Sequence, residues 1–416
     1  MRIIHNQGIC DPHIHIYNGR AYLFATHDRG PGSPIFRMDD WKVFSSDDLL
    51  NWKEEFTLRP EDTFLGKCEE CYATDSAERN GKYYLYFSHC QFCTGVAVAD
   101  RPEGPYKDAL GKPLLPRGLV DTACYDPSVF IDDDEGKTPY ILFGYTVFGK
   151  KYYIARLNED MISMAEEPRP IEIVNGWAND AIWVTKRDGV YYINSHGSEY
   201  ATSDSIYGPY TYRGHFCRDA YVDHGTFFTY HNQTYFAYGV PENWGDEPVD
   251  NFYRTTKIIY AHYKDNGEIV IDEFIQEAGV GQYDASWPAI KGEWYFAVSD
   301  GVTKRENADG FELRGIGNNA YVYFQNVNGM RQNAKLILRG RCLSNCQIEV
   351  REGSPFGPVL GCCKVTPAEG VGEGEACEWT IPLTNTNGTH SLCFVFRGEG
   401  EELLAFDDFR FEAVKK

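Results

Sequence analysis

No stretch of the chain reaches the roughly 18 consecutive apolar residues that a membrane-spanning helix needs. The opening Met1-Arg2-Ile3-Ile4-His5-Asn6 lacks the apolar core of a signal peptide, so the expected location is cytoplasmic. Basic residues are scarce: 40 Lys and Arg stand against 61 Asp and Glu, a net charge of −21. Such a chain repels polyphosphate and anionic lipid, which excludes nucleic acid and membrane surfaces as partners. Much of that acidity also serves solubility. The 13 cysteines are odd in number within 416 residues, which fits free thiols in a reducing compartment better than a disulfide framework. Oligomeric state is not legible.

Aromatic residues are plentiful at 15%, with 29 Tyr and 8 Trp, and sugar faces pack on such rings. Many sit in one recurring pattern. Tyr125-Asp126-Pro127-Ser128-Val129-Phe130-Ile131 leads through an acidic turn ending at Gly136 to Tyr140-Ile141-Leu142-Phe143, which reads as a β-hairpin with Asp126 at its mouth. Asp11-Pro12-His13 leads to Asn18-Gly19, Cys71-Tyr72-Ala73 to Asn80-Gly81, Asp180-Ala181-Ile182 to Asp188-Gly189, and His224-Gly225-Thr226 to Asn232-Gln233. Asn-Gly and Asp-Gly tolerate the positive φ of a type I′ turn. Five hairpins recurring at about 45–60 residues predict a five-bladed β-propeller. Matched positions in different blades surround one axis, so Asp11, Asp126 and Asp180 are expected to converge on one pocket. His224 starts an inner strand and points to that axis, where it could hold a water or an ion; Arg254 could pair with a carboxylate or a sugar hydroxyl. Trp41 could floor a sugar site or serve as a buried packing residue.

From about residue 284 the strands shorten and Gly, Asn and Glu rise. The fold class is therefore all-β: a propeller over 1–283 followed by a β-sandwich over 284–416. Cys68-x2-Cys71 and Cys90-x2-Cys93 have the spacing of a structural four-thiolate zinc site. With the turn at Asn80-Gly81, Cys71 falls opposite Cys90, bringing both pairs to the open end of one hairpin. The other reading is reduced thiols packed as small hydrophobes.

Cys10-Asp11-Pro12-His13, Tyr72-Ala73-Thr74-Asp75, Tyr125-Asp126-Pro127-Ser128-Val129-Phe130, Trp183-Val184-Thr185-Lys186-Arg187-Asp188-Gly189 and Asp223-His224-Gly225 resemble glycoside hydrolase family 43. The resemblance implies an inverting glycosidase on a five-bladed propeller. It implies Asp11 as general base, Asp126 as the group that tunes and orients the acid, and Asp180 as general acid, where the family ordinarily has glutamate. It implies no cofactor for the chemistry and, for some members, calcium near His224. An inverting site needs two carboxyls roughly 6.5–9.5 Å apart, with room for water between them. Gly317-Asn318-Asn319-Ala320-Tyr321, Trp379 and Phe406-Asp407-Asp408-Phe409 resemble a family 6 carbohydrate-binding module. In such a module two aromatics sandwich a sugar, here Tyr321 and Trp379; Ala405 stands where an asparagine is expected. The expected activity is removal of terminal arabinofuranose or xylose from plant-polysaccharide oligosaccharides. The alternatives are a galactose- or galactofuranose-type exo-glycosidase and, from another class, a non-catalytic carbohydrate-binding propeller.

Overall fold

The computed structural model describes residues 1–90, 93–176, 179–217, 222–242, 250–272, 274–367 and 376–412. Its hairpins turn where the sequence places left-handed residues. Asn18 and Gly19 have φ of 53° and 77°, Asn80 and Gly81 53° and 72°, Asp188 and Gly189 50° and 81°, the paired positive values of a type I′ turn. The fifth hairpin turns one residue earlier than its sequence suggests, on His231 and Asn232 at 51° and 64°.

Each hairpin extends into an antiparallel sheet. The first runs Gly8–Tyr17, Arg20–Asp28, Met38–Ser46, Lys53–Leu58, and the second Cys71–Arg79, Lys82–His89, Cys93–Ala99, Lys107–Asp108. The third is Ser128–Ile131, Pro139–Gly144, Tyr152–Arg156, Arg169–Pro170. The fourth is Trp183–Arg187, Val190–Asn194, Glu199–Ser203, Tyr210–His215, with Ile173–Val174 added in parallel at its edge. The fifth is Gly225–Tyr230, Gln233–Glu242, Asp250–Tyr263, Ile269–Ile271. The amino terminus pairs with this last sheet: Arg2 bridges Lys257, and the Ile3 N–H donates to the Thr256 carbonyl at 3.1 Å. That tie joins the segment leading into the first blade to the fifth.

Large side chains fill the wedges between neighbouring blades. Phe24, Trp41, Leu85 and Phe87 pack between the first and second, Tyr86, Val96, Ile141 and Phe143 between the second and third, and Leu142, Tyr152, Ile193 and Tyr210 between the third and fourth. Much of the aromatic excess is therefore core. Trp41 belongs to it: the ring is fully buried, lies 4.9 Å from Phe87, and its Nε1–H donates to the Tyr72 carbonyl at 2.7 Å. It cannot floor a sugar site.

The chain forms two compact units, one of Met1–Phe228, Tyr235–Ala261 and Val270–Gln276, the other of Thr229–Thr234, His262–Ile269 and Glu277–Lys416. The second unit holds two six-stranded sheets. One is built on Tyr321–Met330, Gly388–Gly398 and Cys346–Glu352, the other on Gly310–Ile316, Leu404–Phe411 and Lys335–Cys342. Phe324 and Phe394 from the first meet Phe406 and Phe409 from the second, with ring centroids 5.0–6.2 Å apart, the packed interior of a sandwich.

Candidate active site

Asp11 and Asp126 each precede a proline and each adopt φ of 49°, a left-handed conformation that Asp tolerates better than most residues. At Asp11 the pairing with the next strand shifts register between Cys10 and His13, so the bulge turns this carboxylate out of the ladder. In the fourth blade the left-handed residue is Ala181, φ 50°, one place after Asp180. The three aspartates nonetheless line a single cavity of about 160 Å³, together with Tyr72, Tyr125, His196, Asp223, His224 and Arg254.

Arg254 is the hub of this cavity. Its Nε donates to Asp28 Oδ2 at 3.0 Å, Nη1 to Asp11 Oδ1 at 2.9 Å and Asp223 Oδ2 at 3.1 Å, and Nη2 to Asp28 Oδ1 at 2.9 Å and Asp11 Oδ2 at 3.4 Å. All five N–H groups of the guanidinium are thereby engaged by carboxylates. Of the two roles open to Arg254 in the sequence, the structure takes the carboxylate and leaves no donor for a sugar hydroxyl. Asp11 also accepts from Thr26 Oγ1 at 2.8 Å, so its position is secured from two sides.

Asp180 has a different environment. Its Oδ1 accepts from the Tyr125 hydroxyl and, at 3.2 Å, from the Ala181 N–H. Burial raises its pKa, opposed by the Tyr125 hydrogen bond and the His196 charge and assisted by Asp223. Asp126 is raised well above the ordinary carboxyl value by burial and by the charges of Asp180, Asp11 and Asp223. Burial also pushes Asp28 up to about 6. Asp223 goes the other way: burial opposes its charge, but Arg254 and His196, whose Nδ1 lies 2.8 Å away, hold it low. His196 is raised, because Asp223 and Asp180 outweigh its burial. One cavity thus holds carboxyls driven in opposite directions, the pattern that separates acid from base.

His224 lines the cavity, stacks on Trp183 at 5.4 Å, and places Nε2 3.1 Å from His13 Nε2. Burial lowers its pKa from 6.5 to about 4, against the raising charge of Asp11. The unfolded chain therefore takes up a proton that the native fold refuses until about pH 4. Stability is expected to fall as pH drops from about 6.5 to about 4, by a limiting about 3 kcal/mol. Urea midpoints at several pH values should show this slope in the native protein and a flatter one in His224→Asn; equal slopes would refute it.

His196, Asp28, Asp223 and Tyr125 were not singled out from sequence as site residues. Tyr125 carried a signal in standing beside Asp126, and Asp223 in preceding His224. His196 and Asp28 lie at strand ends with no motif around them.

His13, His15 and Asp75 present ligand atoms within 4.8 Å of one another, but Asp75 is fully engaged. It accepts from His13 Nδ1 at 2.9 Å, His15 Nε2 at 2.6 Å, and the N–H groups of Val129 and Ser76 at 2.6 and 2.7 Å. This is a brace across three blades. Calcium takes six to eight oxygens, whereas His224 meets an imidazole nitrogen and a single Asp11 oxygen 4.0 Å away. The described residues do not fit a calcium cage there, and no step below passes through one.

Residues 2–195 match the model of glycosyl hydrolases family 43, and residues 291–413 that of carbohydrate binding module family 6. The chain therefore carries a family 43 glycosyl hydrolase domain in its N-terminal part and a family 6 carbohydrate-binding module in its C-terminal part. An arabinoxylan arabinofuranohydrolase of Paenibacillus polymyxa is 26% identical over 96% of this chain and 72% of its own length. A xylosidase/arabinosidase of Bacteroides ovatus is 29% identical over 50% of this chain and 77% of its own. The crystal structure of a family 43 arabinoxylan arabinofuranohydrolase from Bacillus subtilis, in complex with cellotetraose, superposes with a TM-score of 0.58 at 22% identity, covering 98% of this chain and 96% of that one; it establishes the shared fold.

In the family 6 module the expected aromatic pair is not formed. Tyr321 begins a strand whose Val322 and Phe324 point into the core, so it faces outward. Trp379 lies in the other sheet, opposite the buried Leu338, and faces the sandwich interior at its edge. Two rings on different sheets and different faces cannot enclose one sugar. The module's own cavity, about 430 Å³, is elsewhere, lined by Arg331, Gln332, Asn333, Lys335, Phe411 and Glu412 among others.

Proposed function

We propose that the family 43 domain is an inverting exo-glycosidase that releases terminal arabinofuranose or xylose from plant-polysaccharide oligosaccharides. What carries this reading is the contrast between Asp11 and Asp180 within one cavity. Asp11, ion-paired to Arg254 and hydrogen-bonded to Thr26, is held in place to take a proton from water as its oxygen attacks the anomeric carbon. Asp180, with a raised pKa, donates its proton to the departing glycosidic oxygen. Asp126, between them in chain order and interacting by charge with both, tunes and orients the acid. A cavity of about 160 Å³ is well below the ~300 Å³ at which drug-sized pockets begin. It suits one terminal ring better than a threaded polymer. The sugar assignment is supported by the names of both relatives above.

Purified protein is to be assayed on para-nitrophenyl α-L-arabinofuranoside, β-D-xyloside and β-D-galactofuranoside. Release from one of the first two is expected, with a fall of about 10²–10⁴-fold in Asp11→Ala. NMR of the first-formed sugar should show the inverted anomer. Release from the galactofuranoside alone would move the substrate to the galactose class. No release, with sugar binding retained, would make this a binding propeller.

A further inference from the structure

The open end of the second blade's hairpin gathers soft and borderline metal ligands that the glycosidase chemistry does not use. Cys68 Sγ lies 3.9 Å from Cys71 Sγ and is also hydrogen-bonded to His89. The bulge between Tyr72 and Thr74 shifts the pairing by one, so Cys71 faces His89 where the sequence placed it opposite Cys90. His89, Cys90 and Glu70 present ligand atoms within 4.8 Å of one another. The Cys90 N–H donates to the Glu70 carbonyl at 3.1 Å, closing the two arms on each other. The four thiols of the spacing motif do not form this cluster alone: His89 enters it, and Cys93, paired with His89 on the next strand, stands behind.

We propose that Cys68, Cys71, His89 and Cys90 form a tetrahedral site for zinc or a like borderline-soft divalent ion. Three thiolates and one imidazole are a donor set for a closed structural zinc and a poor one for calcium or magnesium. Its place gives it work to do. Cys71 precedes Tyr72, and Glu70 bridges Met38; Tyr72 and Met38 both line the active-site cavity. A metal here clamps that wall from behind, outside the reacting groups.

The test uses the full chain, reduced and stripped with chelator, titrated with cobalt(II) and then zinc. Expected are the sulfur-to-cobalt charge-transfer band and the intense ligand-field bands of a tetrahedral thiolate site, saturating near about one equivalent and abolished by zinc. Cys68→Ser/Cys71→Ser should lose the bands and about tenfold of the retained zinc, while Cys342→Ser/Cys346→Ser, in the second unit, should keep both. His89→Gln preserves every thiol and should weaken and shift the bands, which keeps the test valid if the double variant does not fold. Absence of a cobalt–thiolate band in the native chain would overturn the proposal. So would bands indifferent to both the Cys68/Cys71 and the His89 substitutions.

Discussion

Asp180→Asn is expected to lower kcat on an oligosaccharide by about 10²–10⁴-fold while changing far less the turnover of a dinitrophenyl glycoside. The asymmetry follows from the role. An oligosaccharide leaves as an alkoxide unless a proton arrives with the bond cleavage, whereas dinitrophenolate departs unaided. Asparagine keeps the volume of the side chain, and its amide oxygen still accepts from Tyr125 and the Ala181 N–H, so the cavity should persist. The pH profile supplies a second readout. Asp180 must be protonated to act, and burial raises its pKa above the ordinary 3.8; activity is therefore present below that raised value and lost as pH rises through it. In Asp180→Asn this basic limb should vanish. Equal losses on both substrates, or an unchanged limb, would remove Asp180 from the acid role.

The architecture was legible because it rests on local signals. Asn80-Gly81 and Asp188-Gly189 fix type I′ turns by backbone sterics alone, and alternation on either side sets the strands. The convergence of Asp11, Asp126 and Asp180 followed from blade equivalence, and one cavity holds them. What escaped the sequence depends on partners far away in the chain. Nothing in Phe252-Tyr253-Arg254 announces that the guanidinium meets Asp11, Asp28 and Asp223, separated from it by up to 243 positions. Trp41 was ambiguous because an aromatic on a propeller strand looks the same whether its neighbour is a sugar or Phe87. Tyr321 and Trp379 were paired by motif, but which face each occupies is set by sheet membership and register. Cys71 missed Cys90 by one residue because a bulge, which has no reliable sequence mark here, intervenes.

Arg254→Met tests the other half of the site, the base and its support. Methionine fills similar space but leaves Asp11, Asp28 and Asp223 buried together with no shared cation, Asp223 retaining His196 and the His224 N–H. Breaking a buried ion pair from one side typically costs about 3–5 kcal/mol, and here three carboxylates lose one partner. The sign of its pH dependence is fixed. Without Arg254, which lowers Asp28 and Asp223, their folded-state pKa values rise. A raised carboxyl pKa costs stability increasingly as pH climbs from the unfolded value through the folded one, so the deficit against the native protein should be larger at pH 8 than at pH 5. Arg254→Lys should not restore the native midpoint, since one ammonium cannot reproduce five N–H groups in a planar fork. Catalysis should fail in parallel, because Asp11 would lose the two hydrogen bonds from Arg254 that orient it. Thermal or urea unfolding of the full chain, followed by tryptophan emission at both pH values, measures the effect. A deficit below about 1 kcal/mol, the scale of a surface pair, or one independent of pH, would mean that the carboxylates of this propeller are held by something other than Arg254.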